Sequence, residues 1–183
     1  MSARVPIAPA ATLLLGAGLL GGCGWLGLVE TTNPRSICPQ GLILADAGEM
    51  TIFRDAVGRD LTDVVAQARI ADVVVECKPE RRAVNVDLQV AIAAERGPAN
   101  RTGKQSIDYF VAIVDPQGKV ITRQAFKMDF EWPENRVRVG RVDELTPRIP
   151  VSEPERAPEY RIWVGLQLTE DQLAWNRRNK PAQ

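Results

Sequence analysis

Val84-Asn85-Val86-Asp87-Leu88-Gln89-Val90-Ala91-Ile92-Ala93-Ala94-Glu95 is the stretch that decides the fold. Side chains on a strand alternate between two faces. Val84, Val86, Leu88, Val90, Ile92 and Ala94 share one face here, and Asn85, Asp87, Gln89 and Glu95 share the other. The segment therefore reads as a strand with one side in a core and one in water. Upstream, Val65 to Cys77 is rich in valine and reads as its partner, with Lys78-Pro79-Glu80-Arg81-Arg82 as the hairpin turn.

Downstream the same period recurs. Ile107–Val114 and Val120–Phe126 read as a second hairpin around Asp115-Pro116-Gln117-Gly118, with proline where φ is already set and glycine where φ must be positive. Phe126, Met128 and Phe130 continue the alternation to Trp132-Pro133, and Arg136-Val137-Arg138-Val139 resumes it. Tyr160, Ile162, Val164, Leu166 and Leu168 form a last strand, and Leu42-Ile43-Leu44 and Met50-Thr51-Ile52-Phe53 form early ones. Seven or eight short antiparallel strands punctuated by turns predict an all-β sandwich, immunoglobulin-like or fibronectin-like. A fold of that kind hosts many unrelated functions.

A short helix is expected at the end. Thr169 and Gln172 stand at the positions of a capping box and Leu168 and Leu173 at those of a hydrophobic staple. Glu170 and Asp171 suit the positive end of the helix dipole, and Arg177, Arg178 and Lys180 the negative end. Leu173 and Trp175 are the side chains available to pack it on the sandwich.

The N-terminus carries a different signal. Behind Arg4 comes an uncharged run through Leu13-Leu14-Leu15 and Leu19, closed by Leu20-Gly21-Gly22-Cys23. This segment resembles the signal peptide and lipobox of bacterial lipoproteins. The resemblance implies cleavage before Cys23, acylation of its thiol and new amino group, and a lasting membrane anchor through the lipid on Cys23. An uncleaved apolar anchor is the alternative, but Pro6, Pro9 and the glycines around Cys23 make a poor helix. On this reading residues 1–22 are the leader, 23–36 a lipidated tether with Trp25 near the headgroups, and 37–183 the folded domain. Gly24 stands where an aspartate would retain an enterobacterial lipoprotein in the inner membrane. The resemblance thus implies the outer membrane, facing the periplasm, with the inner membrane as the alternative.

Without Arg4, the 23 basic residues become 22 against 23 acidic, a near-neutral balance that argues against a nucleic-acid partner. With Cys23 acylated, Cys38 and Cys77 are an even pair in an oxidising compartment and are expected to form a disulfide, two buried thiols being the alternative. The chain has no histidine. A Ser-His-Asp or Cys-His unit cannot be assembled, and the commonest general base and metal ligand are missing. Asp60 with Asp63, or Glu153 with Glu155, are the remaining carboxylate pairs, and short acidic residues in loops usually cap amides or face water. No catalytic residue, metal site or cofactor is therefore expected.

The polar loop Glu95–Ser106, with Arg96, Asn100, Arg101 and Lys104, is the candidate partner-binding loop. The acidic, proline-rich segment Pro150–Pro158 reads as a connection. Two functions survive: a non-enzymatic interaction or assembly module that meets another envelope protein, and a lipoprotein that holds a small apolar or glycan ligand in a cleft of the sandwich. A pocket lined by Trp132, Trp163 or Tyr109 favours the ligand; a filled core with an exposed apolar edge favours the module.

Overall fold

The computed structural model describes residues 37–54 and 59–179. The leader, the tether, Cys23 and Lys180 lie outside the described residues. The elements are β1 (Gln40–Ile43), β2 (Glu49–Phe53), β3 (Val64–Glu80), β4 (Ala83–Arg96), β5 (Lys104–Val114), β6 (Val120–Glu131), β7 (Arg138–Leu145), β8 (Arg148–Pro150), β9 (Arg161–Leu166) and α1 (Glu170–Asn179).

Two sheets share the strands. The smaller has the order β1-β9-β5-β6; the larger has β2-β3-β4-β7, with β8 following β7 along the same side of β4. The fold is thus a two-sheet, sandwich-like β structure with one short C-terminal helix. Its pairs are antiparallel except one: β1 runs parallel to β9, with Leu42 opposite Trp163. The first and last strands among the described residues lie side by side through this long-range pairing, which local alternation does not encode.

The core follows from parity. Val84, Val86, Leu88, Val90, Ile92 and Ala94 of β4 all face inward and are buried, as the alternation predicts. They meet Ile107, Tyr109 and Ile113 of β5, Met128 and Phe130 of β6, and Ile162, Val164 and Leu166 of β9. Each fully buried aliphatic side chain stabilises the sandwich by about 1.5–3 kcal/mol relative to exposure.

The expected turn at Lys78–Arg82 is shorter than its composition suggests. Lys78, Pro79 and Glu80 belong to β3, opposite Asn85, Val84 and Ala83, and only Arg81 and Arg82 turn. Proline is tolerated there because, among the described residues, no strand pairs with the other side of this half of β3. β3 also carries a register slip between Ile70 and Asp72. Before it Val64, Ala66, Ala68 and Ile70 point inward; after it Val73, Val75 and Cys77 do. One extra residue reverses parity and bends the strand. The slip turns the second half of β3 away from β2 and toward β1.

The Asp115 turn forms as expected. The Asp115 carboxylate accepts the amides of Gln117 and Lys119 at 3.0 and 2.8 Å, and Gly118 adopts φ 83°. The resumed strand begins at Arg138, not Arg136, and β8 brings the number of strands to nine among the described residues. At α1 the capping box is made in both directions: the Gln172 amide donates to Thr169 Oγ1 at 3.2 Å, and the Thr169 amide donates to Gln172 Oε1 at 2.8 Å.

Candidate functional site

A two-layer β structure has two lateral seams where the sheets' edges meet. At the first, β1 lies against β3. A Cβ on Gly41 would come within 2.7 Å of Val75 Cγ2 and 2.9 Å of Val73 Cγ1, so only glycine permits this approach. Cys38 and Cys77 are disulfide-bonded across the same seam, with Cα atoms 5.5 Å apart. Close by, α1 covers the edge strand β2. Trp175 meets Phe53 edge-on at 5.0 Å, and the Asn176 side-chain amide donates to the carbonyls of Asp46 and Glu49 at 3.0 and 2.7 Å. A hollow of about 530 Å³ between α1 and β2 is lined by Trp175 and Asn176 and by Asp46, Glu49, Thr51 and Gln67.

The second seam, between β6 and β7, is built differently. On β7 the inward parity belongs to Val139, Arg141, Asp143 and Leu145, two of them charged. Both charged side chains reach across to the smaller sheet: Tyr109 Oη donates to Asp143 Oδ2 at 2.6 Å, and Arg141 Nη1 donates to the Asp129 carbonyl at 2.8 Å. Tyr109 is fully buried. Burial, and then its hydrogen bond to the Asp143 carboxylate, push its phenol far above the ordinary tyrosine value, so it stays a proton donor. Inward charges on an edge strand also discourage unwanted pairing.

Beyond Asp143, toward the β5–β6 turn, the sheets part. They leave a cleft of about 330 Å³ walled by Val111, Ile113, Phe126 and Leu145, with Thr122, Gln124 and Glu144 among its other lining residues. Along it Val120–Ala125 of β6 are exposed on both faces, and no strand pairs with the outer edge of β6 among the described residues. Val120 and Ile121 on β6 are 51% and 41% exposed. Apolar side chains thus line a free edge.

The residues singled out from sequence fall elsewhere. In the Glu95–Ser106 loop, Asn100 is only 5% exposed. Its Oδ1 accepts the Gly103 amide at 2.8 Å, its Nδ2 donates to the Lys104 carbonyl at 3.2 Å, and the Arg96 guanidinium donates twice to the Asn100 carbonyl at 3.2 and 2.8 Å. Arg96 and Asn100 therefore hold the loop's own shape. Arg101 and Lys104 face solvent, Lys104 within 3.3 Å of Glu131. The loop sits at the opposite end of the β5–β6 hairpin from the cleft, since Lys104 is opposite Glu131 and Ile113 opposite Thr122.

Tyr109 and Trp132 are buried in the core, and neither they nor Trp163 line the seam cleft. Asp60 caps the Thr62 amide, and the buried Asp63 is paired with Arg54. Glu153 and Glu155 lie at the start of a 3₁₀ turn, Pro154–Glu159. Among the described residues, no group of three or more His, Cys, Asp or Glu is placed to hold a metal ion, and no helix is long and apolar enough to cross a membrane.

Sequence reasoning missed the open seam. The signal was present in Val139-Gly140-Arg141-Val142-Asp143-Glu144-Leu145, where the apolar ends share parity with two charges. A strand whose core face is half charged sits at an edge and needs partners there. No family model, no curated protein and no solved structure matches the chain.

Proposed function

We propose that the protein is a membrane-anchored periplasmic lipoprotein whose domain is a non-enzymatic interaction or assembly module of the cell envelope. Residues 1–22 are its signal peptide, Cys23 carries the lipid in the outer membrane, and 23–36 are the tether. The domain is immunoglobulin-like or fibronectin-like. Supporting that type are two facing sheets with chain crossovers after β1, β4, β6 and β8; departing from it, the neighbours β3 and β4 pair directly, where the type interposes a later strand.

The observation that carries the module reading is the second seam. A filled core ends there at a free strand edge with exposed Val120 and Ile121. The same cleft supports the alternative, a small apolar ligand between Val111, Ile113, Phe126 and Leu145, at the lower limit of ligand-sized volumes. Its lining lacks the three aromatic residues that a ligand site was expected to use.

Membrane fractionation tests the anchor: Cys23→Ser leaves an unprocessed or soluble precursor, and protein still membrane-bound at its processed mass contradicts it. Envelope pull-downs test the module. Val120→Asp with Ile121→Asp should abolish capture of the partner, and Arg101→Ala with Lys104→Ala should weaken it. Alanine at Asp60, Asp63, Glu153 or Glu155 should leave it intact. A turnover activity lost on one of those four changes, with circular dichroism unchanged, overturns the non-enzymatic reading.

A further inference from the structure

We propose that the open seam is a strand-acceptor site: an extended segment of a partner protein, with alternating apolar and acidic side chains, pairs with the outer edge of β6 from Val120 to Phe126. The inference rests on the reading of the domain as an interaction module and names the chemistry of its partner.

Three features converge. Among the described residues no strand pairs with the outer edge of β6, whose main-chain groups an added strand would satisfy. Thr122, Gln124 and Phe126 lie on the side of β6 that lines the cleft, so alternate side chains of an added strand would enter between the sheets against Val111, Ile113 and Leu145. The opposite parity carries Ile121, Arg123, Ala125 and Lys127, with Lys119 in the preceding turn.

Charge selects the occupant. From Lys119 to Lys127 every charged residue is basic, and the first acid on the strand, Asp129, lies beyond them with its carboxylate accepting from the Ser106 hydroxyl. Arg123 is held in place, its guanidinium 4.3 Å from the centre of the Phe110 ring and donating to Gln167 Oε1 at 2.7 Å. Lys127 has only a distant partner, Asp108 at 4.0 Å, and both are well exposed. Opposite charges across a strand pair stabilise it and like charges oppose it. Acidic residues on the outward face of the incoming strand therefore complement this edge. Two β6 strands paired about a two-fold at Arg123 would set that residue against itself, and about Ala125 would set Arg123 against Lys127.

The test uses the full-length mature protein in detergent and measures fluorescence anisotropy of short labelled peptides. A peptide of alternating valine and glutamate should bind, and one of alternating valine and lysine should bind at least about tenfold more weakly, since two cross-strand charge pairs change sign. In the Arg123→Glu/Lys127→Glu variant the preference should reverse, a gain of binding that misfolding cannot produce. Thr122→Trp, which fills the cleft from an exposed position, should weaken the glutamate peptide without touching the charges. Absence of binding, equal binding of both peptides, or an unreversed preference overturns the proposal. If the strand proposal fails while partner capture still depends on Val120 and Ile121, the module reading stands with another kind of partner; if capture is also indifferent to them, both fall.

Discussion

The seam between β1 and β3 is closed by covalent chemistry and close packing, whereas the seam between β6 and β7 is held by two polar links and then opens. At the first, the Cys38–Cys77 disulfide and the Gly41 contact leave no room between the sheets. At the second, Tyr109 with Asp143 and Arg141 with Asp129 fix the spacing, and a cleft follows. A domain stapled on one side can leave the other side free, because the staple constrains the unfolded chain wherever it sits. The contrast is the ground on which the proposed partner surface is placed at the seam that packing left unfinished.

The largest effect should come from the closed seam. Cys38→Ser with Cys77→Ser, closing no loop across the 39-residue separation, should lose about 4 kcal/mol of stability in the chain-entropy picture. Urea unfolding of the variant and of reduced wild type should agree; a loss under about 1 kcal/mol would mean that the staple constrains little.

Next, Tyr109→Phe should cost about 2 kcal/mol, because it keeps the ring and removes the hydroxyl that Asp143 accepts from. The loss should appear first as faster amide exchange in β6 and β7, not in β1 and β3. The same pair sets an alkaline limit. The folded phenol titrates above its unfolded value, so its contribution is present below about pH 10 and is lost as pH rises further. Tyrosinate absorbance from Tyr109 should therefore appear only with unfolding.

Gly41→Ala should cost less, about 1–2 kcal/mol, by forcing Val73 and Val75 aside. It should slow no step at the open seam. The smallest effect is at the far hairpin end, where the hydrogen bond from Arg148, and then that from Asn85, hold the Glu80 carboxyl below the usual carboxylate value. Its contribution is present above the ordinary carboxylate range and is lost as pH falls. Carbon-detected NMR titration should show Glu80 moving back up in Arg148→Ala, with little change in the melting temperature, since exposed pairs contribute little.

What the sequence revealed follows the range of each interaction. Alternation from Val84 to Ala94, the Asp115-Pro116-Gln117-Gly118 turn and the Thr169–Gln172 box are set by neighbours in the chain, and all three form as read. The disulfide was legible by elimination once Cys23 was set aside. The parallel pairing of β1 with β9 was not, because nothing local specifies it. The slip at Ile70–Asp72 was not legible either, since the valines Val64, Val65, Val73, Val74 and Val75 occupy both parities on each side of it and the run looks continuous. The inward role of Asn100 was not legible for the opposite reason. In a loop of glycines and charges a buried asparagine looks like any surface residue, and only the fold shows its hydrogen bonds closing inward. The open seam combines a free edge with inward charges on another strand, so it exists only once β6 and β7 are set side by side.

Site-specific photocross-linking in the living envelope tests the central claim most directly. A photoreactive residue is placed at Gln124 on the open seam, at Gln89 on the outer face of the larger sheet, and at Arg101 in the loop, all three being exposed. The account predicts a discrete adduct from Gln124, lost when Val120→Asp and Ile121→Asp are added, and none from Gln89. Adducts from Gln89 or Arg101, with none from Gln124, would contradict it.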